Sequence, residues 1–181
     1  TARNNPVFGV ADTNSTGTAL NFNGTDQYAE IVGYKGTLGL TDRTIAAWIR
    51  TTDNDGGIGA DGTNNGGDKG LFRVQNSNGL NGAIRVEVNG GFYVSDVAVN
   101  DGQWHHVAMT WENDGSPNVT DAKLYVDGVL QGFSASLDEP INTVLEQDVR
   151  IGRDFNDSRQ MNGLMDDVRI YNHALTQAEV L

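Results

Sequence analysis

Two neighbouring segments, DGQWHHVAMTW at Asp101–Trp111 and AKLYVDGVLQG at Ala122–Gly132, decide the fold class. In the second half of the first segment, apolar residues alternate with polar or small ones, which is the period of a strand that buries one face. In the second segment, Asp127-Gly128 is a dipeptide that favours the two-residue turn of a β-hairpin. The two segments therefore predict antiparallel strands joined by short turns.

The same alternation recurs about a dozen times along the chain, between glycine, asparagine and aspartate residues that favour turns. Strands are predicted at 19–22, 28–31, 44–50, 70–74, 83–88, 92–99, 105–111, 123–126, 129–132 and around 168–170. A second hairpin turn is predicted at Asn89-Gly90. A single helix is predicted at 175–181, where Thr176 and Glu179 have the spacing of a capping box. One-sided alternation with almost no helix is typical of an all-β antiparallel two-sheet sandwich.

Composition limits the classes of partner. The 181 residues carry 12 Lys+Arg against 24 Asp+Glu, a formal net charge of −12, and no cysteine. The length fits one domain over 1–181, and we expect a module excised from a larger secreted or surface protein. The acidity excludes the usual electrostatic binding of nucleic acid and of anionic membranes. No apolar run approaches about 18 residues, so no membrane insertion is expected. The lack of cysteine excludes disulfides and thiolate metal sites.

Six segments resemble, in order, those of the laminin-G-like domains, which are concanavalin A-like jelly rolls. They are Gly17–Ile31, Arg43–Thr51, Asp101–Trp111, Ala122–Gly132, Arg150–Asp154 and Asn162–Val180. The stretch Thr51–Asn81 departs from the family, because it is longer and richer in aspartate and glycine. The resemblance implies a curved jelly-roll sandwich that binds a glycan or polysaccharide, often with calcium. It also implies an extracellular or cell-surface location, in a bacterial adhesin or enzyme whose partners include host or cell-surface glycoconjugates.

Catalytic patterns are missing from the sequence. A glycosidase needs two carboxylates that flank the scissile bond, and the glucanases that share this sandwich carry them on an E-x-D-x-x-E-type strand. Glu87 and Glu112 are isolated on their predicted strands, and no G-x-S-x-G motif occurs. His105 and His106 are adjacent and point to opposite faces of a strand, so they predict no metal cluster. We therefore expect a protein that is not an enzyme.

One structural calcium site is predicted on the turn Asn23-Gly24-Thr25-Asp26. Turn carbonyls and an aspartate can supply several oxygen ligands together. The resemblance implies that Asp166 binds the same ion, so the predicted ligands are Asn23, Gly24, Asp26 and Asp166. The alternatives are that Asp26 only closes an Asx turn and that Asp166 bonds to a neighbouring loop.

A second group of candidates lies in the aspartate-rich segment 51–69, which is predicted to be a long rim loop. Asp53, Asp55, Asp61 and Asp68 could hold a rim calcium ion, although this composition also suits a flexible solvated loop. A facing loop at 153–159 mixes planar donors, carboxylates and one aromatic ring. Its candidate ligand-binding residues are Arg153, Asp154, Asn156, Asp157 and Arg159, and its alternative is an ordinary polar connection.

The predicted sheet faces add a third group. By parity, the polar side of the alternating strands carries Arg73, Gln75, Arg85, Glu87 and Tyr93, which could line a concave face or form solvated ion pairs. All three tryptophans, Trp48, Trp104 and Trp111, are expected in the core. Stacking aromatics are expected instead at Tyr34, Phe92, Tyr93 and Phe155.

Two functional hypotheses follow. The first is a calcium-dependent carbohydrate-binding, lectin-like module of a bacterial adhesin or extracellular enzyme. The second is a non-catalytic structural or protein-interaction spacer that carries structural calcium. Both follow from a fold-level resemblance, which does not by itself fix a function.

Overall fold

The computed structural model describes residues 2–3, 7–11, 18–63, 68–88 and 90–180, and the regular structure in these ranges is almost entirely β. The strands are β1 (Ala2–Arg3), β2 (Val7–Ala11), β3 (Thr18–Asn23), β4 (Tyr28–Glu30), β5 (Arg43–Thr51), β6 (Gly57–Gly62), β7 (Lys69–Gln75), β8 (Ala83–Glu87), β9 (Phe92–Ala98), β10 (Trp104–Trp111), β11 (Lys123–Val126), β12 (Val129–Leu130), β13 (Phe133–Leu137), β14 (Gln147–Ile151) and β15 (Asn162–Tyr171). One 3-10 turn lies at Val119–Asp121. None of the described elements is a helix long and apolar enough to cross a membrane.

The strands form two antiparallel sheets. The eight-stranded sheet has the order β1-β4-β14-β6-β7-β8-β9-β13, and the seven-stranded sheet has the order β12-β11-β10-β5-β15-β3-β2. In each sheet, strands that are distant in sequence are neighbours, as β5 and β15 are. This arrangement confirms the predicted two-sheet sandwich.

The core lies between the sheets and is built by the alternation that the sequence shows. On β10, Val107 and Met109 belong to the buried cluster, with Phe72 and Ile84 facing them from the other sheet. Each such side chain contributes about 1.5–3 kcal/mol when it is removed from water. Trp111 is 1% exposed, and its indole Nε1 donates to the carbonyl of Asn118 at 2.9 Å. The core position expected for Trp111 is confirmed.

The short motifs that predicted hairpin turns and a helix have different outcomes. At the β11–β12 hairpin, Asp127 has φ 51° and Gly128 has φ 75°, the geometry that an Asp-Gly hairpin requires. The other hairpin turn includes Asn89, which lies outside the described residues. The predicted helix at 175–181 is wrong for the described part, where Thr176 and Glu179 close one turn. Leu181 lies outside the described residues.

The segment 51–69 is not a long loop. It contains β6, whose six residues are all buried between β14 and β7. The sequence concealed this strand because three of its six residues are glycine, so no alternation of side chains was visible. Gly57 is required there, since an added Cβ would lie 3.0 Å from the backbone of Arg153.

Three aromatic positions differ from expectation. Trp48 is 41% exposed on the outer face of the seven-stranded sheet, and Trp104 is half-buried. Tyr93 pairs with Val86 and packs against the core, so it does not share the polar face of β8. Phe92, not Tyr93, pairs with Glu87, so Phe92 is the β9 residue that shares the polar face of β8.

Candidate functional site

The outer face of the eight-stranded sheet carries a buried network of charged side chains. On β7 and β8, Arg73, Arg85 and Glu87 lie on the side opposite to the core residues Phe72, Ile84 and Val86, and Arg73 pairs in register with Arg85. We call this network the charged face. It consists of Lys69, Arg73, Arg85, Glu87, Asp55, Asp154 and Arg159.

Glu87 is the centre of the charged face. Its Oε1 lies 2.8 Å from Lys69 Nζ and 3.7 Å from Arg159 Nη2. Its Oε2 lies 2.8 Å from Arg85 Nη2 and 3.2 Å from Arg73 Nη2. Burial alone would raise the pKa of Glu87, but Lys69, Arg85 and Arg73 outweigh it and lower the pKa to about 2. Glu87 is therefore a permanent carboxylate that only accepts hydrogen bonds.

Arg73 joins Glu87 to the loop that follows β5. Its Nη1 donates to Asp55 Oδ1 at 2.8 Å, and its side chain is almost completely buried. Burial raises the pKa of Asp55, and Arg73 and Arg159 partly offset that rise. One guanidinium thus holds a carboxylate from the sheet and a carboxylate from the rim.

The loop after β14 supplies the other wall of the charged face. Arg159 Nη1 donates to Asp154 Oδ2 at 2.6 Å, and Asp154 has no exposed surface. Asp154 Oδ2 also lies 3.9 Å from Lys69 Nζ. The loop is anchored on β6, because the amide of Gly57 donates to the carbonyl of Arg159 at 2.7 Å. Of the predicted ligand-binding residues, Arg159 therefore links Asp154 to Asp55, whose Oδ1 lies 3.9 Å from Arg159 Nε.

Three guanidinium nitrogens have no hydrogen-bond acceptor among the described residues, namely the Nε atoms of Arg85, Arg150 and Arg153. The residues Arg85 and Arg153 are only 6% and 9% exposed. Burial lowers the pKa of Arg85 to about 10, and its guanidinium lies 4.0 Å from the centre of the Phe92 ring. An unsatisfied buried donor costs about 1–3 kcal/mol, so the structure holds these guanidiniums in place at an energetic cost.

Aromatic rings flank the charged face. The guanidiniums of Arg150 and Arg153 lie 5.1 and 4.8 Å from the centre of the Tyr28 ring, and Arg150 lies 5.2 Å from the ring of Phe155. Phe155 and Phe92 are both half-buried. The face therefore combines planar donors, carboxylates and aromatic surface.

The remaining predicted ligand-binding residues lie at the rim. Asn156 and Asp157 are exposed. Asn156 accepts a hydrogen bond from Ser158 Oγ at 2.5 Å, and Asp157 forms an ion pair with Arg153. Of the five candidates, Arg153, Asp154 and Arg159 are buried or half-buried beside the sheet, and Asn156 and Asp157 are exposed to solvent.

The predicted structural calcium ligands do not share one place. Asn23 Oδ1 accepts from the amides of Thr25 and Asp26, and Asn23 Nδ2 donates to Asp26 Oδ1 at 2.9 Å. These bonds make the turn an Asx turn, the alternative that the sequence left open. The turn lies beside Asn162, which pairs with Asn23, whereas Asp166 pairs with Trp48. Four residues of strand separate Asn162 from Asp166, or about 13 Å.

The rim aspartates also have separate partners. Asp53 Oδ1 accepts from the amides of Asn54 and Asp55, and Asp55 binds Arg73. Asp61 is buried between the sheets, where it accepts from the amide of Thr37 and burial raises its pKa. The carbonyl of Asp68 accepts from the amides of Thr63 and Val144. In the part of the chain that the structure describes, no three acidic or histidine side chains form a metal-holding group, so these donors do not fit a calcium cage.

The comparisons with known proteins identify the family. Residues 23–181 match a laminin G family described as the concanavalin A-like lectin/glucanases superfamily, and the chain belongs to it. Domain 4 of AbnA, a GH43 extracellular arabinanase from Geobacillus stearothermophilus solved with arabinotriose, is similar over 96% of this chain and 79% of that chain, with 20% identity and a TM-score of 0.70. The heptameric SAP-like pentraxin of Limulus polyphemus is similar over 88% of this chain and 78% of that chain, with 17% identity and a TM-score of 0.59.

The chain is also similar to a solved structure of laminin domains. Domains LG4-5 of the mouse laminin alpha1 chain match over 96% of this chain and 47% of that chain, with 14% identity and a TM-score of 0.52. At these identities the solved structures show a shared fold.

Sequence reasoning missed one member of the charged face, Lys69, and one contact within it, between Arg73 and Asp55. Lys69 closes the predicted rim loop, and its contact with Glu87 depends on the β7–β8 pairing. The link from Arg73 to Asp55 depends on the unexpected strand β6, which pairs with β7 and brings the rim to that strand. The alternation of polar residues on β7 and β8 did indicate a polar sheet face, but it did not show which charged side chains would pair with one another.

Proposed function

We propose that this protein is a non-catalytic carbohydrate-binding module of an extracellular protein, and that the glycan binds on the charged face. The observation that carries the proposal is the convergence of charged side chains from β7, β8 and the loop after β14 on Glu87. Such a convergence offers fixed planar donors and ionised acceptors within one small area. The arabinotriose bound to the similar arabinanase domain supports the same class of ligand.

The chemistry of the face suits sugar hydroxyls. Guanidinium forks and carboxylates form paired hydrogen bonds with fixed geometry, and vicinal hydroxyls match that spacing. Phe155 and Tyr28 supply apolar surface for the faces of the sugar rings. The parent protein would be a secreted enzyme or an adhesin.

We also propose that the protein has no glycosidase activity, for a physical reason. A glycosidase uses one protonated and one ionised carboxyl group. Here Glu87 is neutralised by its cations, and it shares the Arg73 guanidinium with Asp55. Both carboxylates are therefore tied to the same cation, which disfavours attack or proton transfer. We expect no release of reducing ends from any glycan that the domain binds.

The experiment is glycan-array screening of the wild-type domain, followed by calorimetry on any ligand found. Arg159→Ala removes a partly exposed donor at the mouth of the face, and Arg50→Ala, on the other sheet, is the matched control. We expect Arg159→Ala to weaken binding about tenfold, since a hydrogen bond to a charged group contributes about 1.5–3 kcal/mol. Arg50→Ala should bind as the wild type does.

A calcium requirement is tested in the same screen by adding a chelator. Because the carboxylates of the charged face are paired with Lys and Arg side chains, we expect glycan binding to survive the chelation of calcium. An array with no signal in either condition would refute the carbohydrate proposal and favour the spacer hypothesis. Equal affinity of Arg159→Ala and the wild type would refute the location of the site.

A further inference from the structure

A groove on the opposite sheet has features that the charged face does not explain. Its volume is about 280 Å³, and it lies between the outer face of the seven-stranded sheet and the turn that closes the chain. We call it the aromatic groove. The residues that line it include Trp48, His106, Asp127, Asp167, Arg169 and Glu179.

Small residues make the groove deep. Ala46 and Ala108 face each other across β5 and β10, and both are buried in a second small cluster with Val180. Because these side chains are short, the sheet forms a low floor, and Trp48 rises beside it. A tryptophan that is 41% exposed at the edge of such a groove offers one flat apolar face to a ligand.

The wall next to Trp48 is rigid. The His106 ring lies 5.4 Å from the Trp48 ring at an interplanar angle of 56°. The amide of His106 donates to Asp127 Oδ1 at 2.9 Å, and Asp127 Oδ2 lies 2.8 Å from His105 Nδ1. The Asp127 side chain is therefore held by two contacts before a ligand arrives, which lowers the entropic cost of binding.

The rim opposite contains a built fork. A register shift between Asp166 and Arg169 interrupts the β15–β5 pairing. Beyond the shift, Arg169 Nε and Nη2 contact the two carboxylate oxygens of Asp167 at 2.8 and 2.7 Å. This planar pair presents donors and acceptors side by side at the mouth of the groove, where it can meet two adjacent hydroxyls.

The charge of the groove differs from that of the charged face. Three carboxylates, those of Asp127, Asp167 and Glu179, line the groove together with one guanidinium, that of Arg169. Burial lowers the pKa of His106, so its ring adds no positive charge at neutral pH. An exposed indole beside surplus carboxylates attracts a cation, because the ring face is negative and tryptophan is the strongest aromatic partner.

We propose that the aromatic groove is a second sugar site and that it binds a glycan unit carrying a free ammonium group. The proposal rests on the carbohydrate-binding function and adds a ligand class to it. The ring of the unit stacks on Trp48, its hydroxyls meet the Asp167–Arg169 fork, and its ammonium lies among the carboxylates. A lysine side chain of a protein would satisfy the carboxylates and the ring face of Trp48 but would leave the Asp167–Arg169 fork without matching hydroxyls.

The test uses a glucosamine tetramer, its fully N-acetylated form, a neutral glucose tetramer and a lysine tetrapeptide. Binding to the full chain is followed by tryptophan fluorescence and by calorimetry, which also reports stoichiometry. We expect the glucosamine tetramer to bind about tenfold more tightly than the acetylated and neutral forms, the size of a strong cation–π contribution. Trp48→Ala should lose this binding, and Glu179→Gln should weaken it.

Arg159→Ala separates this proposal from the proposed function. It should leave glucosamine binding unchanged while it weakens the ligand of the charged face. Equal binding of the acetylated or neutral tetramer would overturn the charge assignment. Equal binding of the lysine peptide would overturn the sugar assignment, and unchanged binding by both Trp48→Ala and Glu179→Gln would overturn the site. Glu179→Gln keeps the test valid if Trp48→Ala does not fold.

Discussion

Replacing Glu87 by glutamine should change the way in which stability depends on pH. The folded protein lowers the pKa of this carboxyl group from 4.5 to about 2, because Lys69, Arg85 and Arg73 outweigh the effect of burial. A group with a lowered folded pKa stabilises the protein above its unfolded pKa, and this contribution is lost as the pH falls towards the folded pKa. The two values correspond to about 3 kcal/mol of unfolding free energy, present at pH 6 and lost by pH 2.

The assay is urea unfolding of the wild type and Glu87→Gln at intervals between pH 6 and pH 2. We expect the stability difference between the two proteins to shrink by about 3 kcal/mol across this window. Glu112→Gln is the control, because Glu112 is exposed on the far sheet, and its difference should stay small. A Glu87→Gln difference that is constant from pH 6 to pH 2 would refute the electrostatic account of the network. If the variant does not fold at pH 6, the Arg85→Met/Glu87→Met pair removes both charges, and acid sensitivity should fall by the same amount.

Three further predictions follow from packing and from the turns. Trp111→Ala should cost about 3–5 kcal/mol of unfolding free energy in a denaturant titration, because it empties a fully buried position, and a loss below about 1 kcal/mol would contradict that packing. Gly57→Ala should lower both the melting temperature and the glycan affinity, since its Cβ would press on the Arg153 backbone 3.0 Å away; a variant with wild-type affinity would show that the loop position does not matter. Millimolar calcium should leave the melting temperature unchanged in calorimetry, because the Asn23 and Asp26 side chains already bond to each other, and a rise that Asp26→Ala abolishes would restore the calcium site predicted from the sequence.

The sequence determined the layers of the fold better than it determined the sites. The alternation on β10 and the Asp-Gly turn after β11 are local signals, and both appear in the structure as predicted. The strand β6 was missed because glycine carries no side-chain pattern. The exposure of Trp48 was missed because parity shows that it faces away from Ala47 but not which face of β5 the second sheet covers.

The candidate sites depend on contacts between distant segments. Arg159 was selected from its residue type, yet its approach to within 3.7 Å of Glu87 brings together a loop and a strand that are far apart in sequence. Asp61 was assigned to the rim, but the strand that carries it turns its carboxylate into the space between the sheets. Spacing in the sequence could not distinguish these two outcomes, because both depend on contacts with distant segments.

The energetics of the charged face indicate why it is of functional interest. The lowered pKa of Glu87 is worth about 3 kcal/mol in favour of folding. Burial lowers the pKa of Arg85 to about 10, so keeping Arg85 charged in its buried position opposes folding. A buried ion network is often no more stabilising than apolar residues of equal volume. Six of the 12 Lys and Arg residues, namely Lys69, Arg73, Arg85, Arg150, Arg153 and Arg159, nevertheless lie in or beside this face of an acidic chain. Since stability alone does not account for this concentration of charge, it favours the proposal that the face holds donors and acceptors for a ligand.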